Sequence, residues 1–127
     1  MAYMGTRFIN VKESMAHDDY KKMILESSAE DIVYTAAVSG VNANFLRPSL
    51  EAMGITEEQW KESKKIDFGT HSDAISEEAK AWKTIWSAGQ GVTSINDSLS
   101  VKDLIENLKK EFISSLKNQK KLLENFS

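Results

Sequence analysis

The chain has 127 residues, 41% of them hydrophobic and 28% charged, which is enough for one globular core but too short for two. The formal net charge of -3, without a basic patch, argues against nucleic acid and acidic membranes as partners. The absence of cysteine excludes disulfides, thiolate metal sites and thiol nucleophiles, and it fits a cytoplasmic protein. The sequence has no run of about 18 apolar residues that would predict a membrane span.

The N-terminal segment predicts the end of a buried strand. Residues 2–4 form a short apolar run, and Gly5-Thr6 predicts the turn that follows it. A lone strand leaves its backbone N–H and C=O groups unpaired, which native structures avoid. We therefore expect its partner strands to lie upstream, in a longer protein of which this chain is the C-terminal part.

The next segments predict a helix, a strand and a second helix. The first helix is predicted to begin near residues 16–18, where acidic side chains suit the positive end of the helix dipole. The β-branched run at 31–38 predicts a strand. A short helix capped by Asn42 or Asn44 is predicted to stop at Gly54. The two predicted strands are too few and too far apart to form a sheet.

The C-terminal half predicts three further helices. Thr56 is placed to cap a short one, and residues 63–73 predict a loop. Another helix is predicted to begin at Ser76 and to break at the glycine-containing segment 87–91. Ser100 is placed to cap the last helix, in which apolar residues recur at intervals of three and four.

Four segments, in order along the chain, together resemble the C-terminal part of the nitronate monooxygenase family, formerly called 2-nitropropane dioxygenases. They are YMGTRFINVKES at 3–14, DIVYTAAVSGVNANFLRPSLEAMGI at 31–55, AWKTIWSAGQGVTSI at 81–95 and the terminal amphipathic helix. The resemblance implies a mainly α fragment of an α/β (TIM) barrel. In that fold, residues 1–15 are the end of the last barrel strand and a phosphate-binding turn, 16–98 are a helical substrate-side region, and 99–127 are a C-terminal amphipathic helix.

The resemblance also implies an FMN cofactor and the residues that contact it. The family segment after the last barrel strand holds the FMN phosphate, and here it corresponds to Tyr3, Met4, Gly5 and Thr6. The family usually has Gln or Asn at the position of Tyr3, whereas the backbone contacts of the next three residues do not depend on that side chain. Gly89 and Gln90 resemble the family segment near the flavin, and the alternative for Gly89 is a left-handed helix C-cap.

We expect no catalytic residue within this chain. The family's catalytic base is a histidine in the barrel part, upstream of the matched segments. His17 precedes a helix, which favours a cap or a packing role, and His71 lies in a polar segment that favours a solvated side chain. No spacing of ligand residues predicts a metal site.

The aromatic residues predict packing rather than a cofactor box. Trp82 and Trp86 are four residues apart on one helix face, the usual spacing of a buried stripe, and Trp60 is also expected in the core. Phe45 lies in a segment similar to the family's substrate-side loop, so a pocket contact is the alternative there.

The resulting hypothesis is the C-terminal part of an FMN-dependent nitronate monooxygenase, which oxidises alkyl nitronates with O2 to carbonyl compounds and nitrite. Without the N-terminal barrel half, the isolated chain is expected to be inactive. Flavin-dependent enoyl-acyl carrier protein reductases share the Gly-Thr-Arg-Phe and Ala-Gly-Gln segments, and they are the alternative enzyme class. A non-catalytic helical interaction fragment, alone or as a homo-oligomer, is the third hypothesis.

Overall fold

The computed structural model describes residues 3–62, 64, 66 and 83–126. Its helices are α1 (Thr6–Ile9), α2 (Asp18–Glu26), α3 (Arg47–Ala52), α4 (Glu57–Glu62) and α5 (Val101–Asn125). Its strands are β1 (Ile32–Thr35) and β2 (Ala43–Leu46), and short 3-10 helices span Ala29–Asp31 and Gln90–Ser94. The described part of the chain is therefore mainly helical with one small sheet.

The two strands pair in an antiparallel hairpin, with Ile32 opposite Leu46. The expectation of a chain without a sheet is therefore wrong, because the predicted strand at 31–38 pairs with residues 43–46, which were not predicted as a strand. Gly40 lies between the strands with a φ of 78°, a left-handed conformation that favours glycine. Residues 43–46 have weak strand propensity of their own, and pairing with β1 outweighs it.

Helix α3 follows β2 directly and is shorter than predicted. Neither Asn42 nor Asn44 caps it, because Asn44 lies within β2 and the first helical residue is Arg47. Pro48 occupies the first turn, where its missing N–H costs no hydrogen bond. Gly54 follows the helix with a φ of 74°, which confirms the predicted stop.

The first described residues do not form a strand. Tyr3 and Met4 have no regular secondary structure, and Tyr3 is 90% exposed, so no strand is formed at these two residues, while Ala2 lies outside the described residues. No described segment runs beside them as a strand partner, and a strand obtains its backbone hydrogen bonds from such a neighbour. The turn predicted at Gly5-Thr6 is the start of α1, with Gly5 in the cap position.

The predictions of α2, α4 and α5 are confirmed. His17 caps α2, because its Nδ1 accepts the Asp19 N–H at 3.3 Å. Ser100 caps α5, where its Oγ accepts the Asp103 N–H at 3.1 Å. Thr56 forms the corresponding contact at the start of α4. These caps can be predicted from the sequence because a cap residue and the N–H group that it accepts lie within three residues of each other.

Several predictions fall on residues outside the described ranges. They concern most of the loop at 63–73, the helix from Ser76, and the side chains of His71 and Trp82. The break predicted at 87–91 is present, since residues 85–89 are not helical.

Two buried apolar clusters form the core. One contains Phe45, Leu50 and Trp60, and the other contains Ile24, Leu46 and Val92. The adjacent strand residues Phe45 and Leu46 each join a different cluster, because successive side chains of a strand point to opposite faces. Phe45 and Trp60 are thus core residues, which confirms the prediction for Trp60 and places Phe45 away from an open pocket wall.

Helix α5 is 25 residues long and contacts the rest of the molecule near its first turns. Leu104 is buried, whereas large apolar side chains further along the helix are exposed, namely Phe112, Ile113, Leu116, Leu122 and Leu123. Within the described residues, neither α5 nor any other helix is long and apolar enough to cross a membrane.

Candidate functional site

An open cleft of about 590 Å³ lies between the first described residues, the segment 89–99 and the start of α5. Five of the six residues predicted to contact the cofactor line it, namely Tyr3, Met4, Gly5, Thr6 and Gly89. The sixth, Gln90, is exposed and does not line the cleft. The fold therefore brings the two predicted segments together, although more than 80 residues separate them along the chain.

A direct hydrogen bond joins the two segments. The Gly89 N–H donates to Thr6 Oγ1 at 2.8 Å. Gly89 has a φ of -87° and a ψ of 166°, which is extended backbone, so the left-handed C-cap interpretation is wrong. Gly89 instead precedes the 3-10 helix Gln90–Ser94 as its N-terminal cap residue.

The floor of the cleft offers backbone donors and free space. Within the described residues, no hydrogen bond uses the N–H groups of Met4, Gly5 or Thr6. A Cβ atom added at Gly5 or Gly91 would meet no atom within 4 Å. Successive unpaired N–H groups beside a residue without a side chain suit the oxygens of a phosphate group, because an anion can approach the backbone closely.

The charged side chains of the cleft do not favour an anion by themselves. The guanidinium of Arg7 forms an ion pair with the carboxylate of Asp97, and it also donates to the Asp97 carbonyl at 3.0 Å. The Arg7 side chain is only 14% exposed, so its charge is committed to this contact. Glu111 adds a second carboxylate to the lining. An anion bound here would therefore depend on backbone donors and on the Thr6 hydroxyl.

Aromatic stacking fixes the segment that carries Gly89. The rings of Tyr20 and Trp86 stack with centroids 5.1 Å apart, and His17 stacks on Trp86 at 6.2 Å. The Tyr20 hydroxyl donates to the Ser87 carbonyl oxygen. Burial raises the pKa of Tyr20 although this hydrogen bond opposes the shift. The predicted cap at His17 is confirmed. The hydrogen bond of Tyr20 was not predicted, although Tyr20 follows His17 by three residues, a spacing that places both on one side of the helix.

A second cleft, of about 490 Å³, lies beside α3 and α4. It is lined by Arg47, Glu57 and Trp60 among others, and contains none of the predicted site residues. Two of its charged side chains are paired within the protein, since Arg47 contacts Asp31 and Glu57 contacts Lys61. Across the described ranges, no group of three or more His, Asp or Glu side chains is placed to hold a metal ion.

Comparisons with known proteins indicate the family of the chain. The family model described as nitronate monooxygenase matches residues 1–111. A probable nitronate monooxygenase of Bacillus subtilis (strain 168) is 28% identical over 123 residues, which cover 87% of this chain and 33% of that protein. The structure of FabK from Thermotoga maritima matches 92% of this chain and 38% of that one, with 29% identity and a TM-score of 0.65. A methionine-to-alanine variant of FabK matches with 28% identity and a TM-score of 0.63, over 92% of this chain and 34% of that one.

The chain spans about a third of the length of the relatives that it matches. Within that third, the family match begins before the Gly5-Thr6 turn and extends into α5, so it includes all residues of the candidate cofactor site. The resemblance expected from the four sequence segments is confirmed, and the chain belongs to the nitronate monooxygenase family, a family of oxidoreductases.

Proposed function

We propose that this chain supplies the C-terminal part of an FMN-dependent nitronate monooxygenase, in which it anchors the cofactor phosphate. The observation that carries the proposal is the meeting of the Met4–Thr6 turn with Gly89 in one open cleft. Family membership supports a flavin phosphate as the ligand of that cleft, because the family consists of flavin-dependent oxidoreductases.

The residues of the cleft have separate roles in this proposal. The N–H groups of Met4, Gly5 and Thr6 donate to phosphate oxygens, and the missing side chain of Gly5 leaves the room that they need. Gly89 forms part of the wall beside the flavin, and Gln90 follows it just outside the lining of the cleft. When bound, FMN supplies the electron-accepting chemistry by which an alkyl nitronate and O2 yield a carbonyl compound and nitrite.

The catalytic histidine of the family is expected outside this chain. His17 is committed to the cap of α2 and to stacking on Trp86. The matched part of this chain covers only 33% of the Bacillus subtilis relative, and we assign the catalytic histidine and the other barrel strands to the N-terminal part of the full-length protein. Residues 1–15 then complete the barrel and its phosphate turn, residues 16–98 form the substrate side, and residues 99–127 form the closing helix.

A hybrid protein tests this function. Residues 1–127 replace the C-terminal third of the Bacillus subtilis relative, and the product is passed through gel filtration and supplied with ethyl nitronate. We expect retained FMN and nitronate-dependent uptake of O2. The isolated chain should show neither, so stoichiometric FMN on the isolated chain, or a folded hybrid without FMN, would contradict the proposal.

Gly5→Ala is the informative variant of the hybrid. Gly5 has a φ of -83°, which alanine adopts without strain, and its Cβ would point into open space. The free energy of unfolding should therefore stay the same or rise by up to about 1 kcal/mol, while FMN retention falls by roughly tenfold or more because the methyl group occupies phosphate space. Equal FMN retention in both proteins would exclude the turn as the phosphate site.

The second candidate function is that of a flavin-dependent enoyl-acyl carrier protein reductase. The structural match to FabK is the observation that favours it. The same hybrid, supplied with NADH and an enoyl thioester in place of the nitronate, separates the two reactions. NADH oxidation that depends on the thioester, without nitronate oxidation, would favour the reductase.

A non-catalytic interaction role is the third candidate. It is supported by the exposed apolar side chains of α5, which include Phe112 and Leu116. The partner in this case is a second copy of the chain. Sedimentation equilibrium tests whether the isolated chain associates with itself.

A further inference from the structure

The Thr6 hydroxyl has more hydrogen-bonding capacity than the fold uses. A hydroxyl group has two acceptor lone pairs and one donor proton. The Gly89 N–H occupies one lone pair at 2.8 Å, in a partly buried contact. Within the described residues no group accepts the Thr6 proton. Thr6 lines the cleft, so this proton is available to an acceptor bound there.

We propose that Thr6 is a positioning residue whose hydroxyl links the phosphate turn to the Gly89–Gln90 segment, so that an anion bound at the turn also fixes that segment. This inference rests on the proposed function, because it takes the anion to be the phosphate of FMN. It adds a connection between two parts of the site that family membership does not supply.

Hydrogen-bond cooperativity provides the physical connection. When a hydroxyl donates its proton to an anionic acceptor, its oxygen becomes a stronger acceptor for a second donor. Donation by Thr6 to a phosphate oxygen therefore strengthens and shortens the bond from the Gly89 N–H. The same anion cannot act through Arg7, whose guanidinium is held by Asp97.

The position of Gly89 gives this bond its effect on the site. Gly89 is the cap residue of the 3-10 helix Gln90–Ser94. On its other side, the segment is tied to α2 through the Tyr20 hydroxyl and the Ser87 carbonyl. A tighter Thr6–Gly89 bond thus fixes the residue directly before Gln90 between two anchored points.

Solution NMR of the full chain tests the link without any catalytic assay. Inorganic phosphate is titrated into ¹⁵N-labelled protein, with potassium chloride at matched ionic strength as the control, and FMN is titrated separately. In the wild type, the amide signals of Gly5 and Gly89 should shift with the same half-saturation concentration, and the Gly89 amide proton should move downfield. Thr6→Ser, which keeps the hydroxyl, should behave like the wild type.

Thr6→Val is the decisive variant, because it keeps the shape of the side chain and removes the hydroxyl. Phosphate should still shift the Gly5 amide, whereas the Gly89 amide should no longer respond and should exchange with solvent at least about tenfold faster. Unchanged signals from the indole of Trp86 report that the fold is intact. If Thr6→Val does not fold, Thr6→Ala takes its place, with the same expected loss of the Gly89 response and the same Trp86 control.

The possible results separate the two proposals. A response at Gly5 without one at Gly89 in the wild type overturns the link but leaves the phosphate site intact. A Gly89 response that survives in Thr6→Val also overturns the link. No response to phosphate or FMN at either glycine contradicts both the phosphate site and the link.

Discussion

Asp31 shows how one side chain joins two elements of this fold. Its Oδ2 accepts the Ser28 N–H at 2.8 Å, and its Oδ1 contacts the guanidinium of Arg47 at the start of α3. The backbone hydrogen bond from Ser28, with smaller help from Arg47, holds the pKa of Asp31 below its ordinary value despite partial burial. The ionised carboxylate is thus favoured in the folded state.

Asp31→Asn should therefore lower stability in a pH-dependent way. Because the folded pKa is below the unfolded one, the charge stabilises the fold above the unfolded pKa, and this stabilisation is lost as pH falls through the folded pKa. We expect the variant to be about 1 kcal/mol less stable at neutral pH and the difference to shrink strongly toward about pH 2. Urea unfolding over this pH range measures it, and Glu30→Gln, which removes a neighbouring carboxylate, is the control.

Tyr20 should show the opposite pH dependence. Its folded pKa is raised by burial, so the neutral phenol stabilises the fold below the unfolded pKa of about 10, and stability falls as pH rises through that value toward the folded pKa. Tyr20→Phe should cost about 1 kcal/mol at neutral pH through the lost bond to Ser87 and should remove this alkaline loss. Tyr34→Phe, at a side chain that is 68% exposed, is the matched control. An unchanged alkaline slope in Tyr20→Phe would contradict this assignment.

The helices and strands differ in how far the sequence predicts them. The caps at His17 and Ser100 were predictable, because each lies within three residues of the N–H group that it accepts. β2 was not, because residues 43–46 become a strand through pairing with β1, which no local pattern encodes. The strand predicted at 2–4 likewise depends on pairing, and no described segment lies beside Tyr3 and Met4 as a strand partner.

Gly54 provides a test at the scale of one helix. Its φ of 74° ends α3, and a Cβ there would meet no atom within 4 Å. Gly54→Ala should therefore destabilise the protein by about 1–2 kcal/mol through backbone strain alone. Gly91→Ala, where the space is equally open and φ is not left-handed, should leave stability almost unchanged. Thermal unfolding of both variants makes the comparison, and equal melting temperatures would contradict it.

At the scale of the whole molecule, the sequence predicted which segments line the candidate site but not how they meet. Motif resemblance predicts that the turn at 4–6 and the segment with Gly89 contact a cofactor. The hydrogen bond between Thr6 and Gly89 joins residues 83 positions apart. The contact between Arg7 and Asp97 joins residues 90 positions apart, and both contacts depend on tertiary packing. No spacing rule covers such separations, so these contacts became visible only in the folded chain.

The apolar face of α5 leads to a prediction about assembly. Phe112 is 64% exposed, and Leu116 lies next to it on the same helix face. We expect the isolated chain to associate with itself as concentration rises, because burying this face removes apolar surface from water. Sedimentation equilibrium should show a rising average mass for the wild type and a monomer for Phe112→Lys combined with Leu116→Lys. Lys117→Ala, on another face, is the control, and a wild type that stays monomeric would contradict the interaction role.

The long separation between the partners of the cleft also affects how the protein is made. Thr6, Arg7 and Glu13 contact residues that lie 83, 90 and 88 positions later. At a synthesis rate of about 5–20 residues per second, several seconds pass between the synthesis of these early residues and that of their partners. The cleft therefore forms late in synthesis, and a nascent chain that stalls before Gly89 lacks one of its two walls.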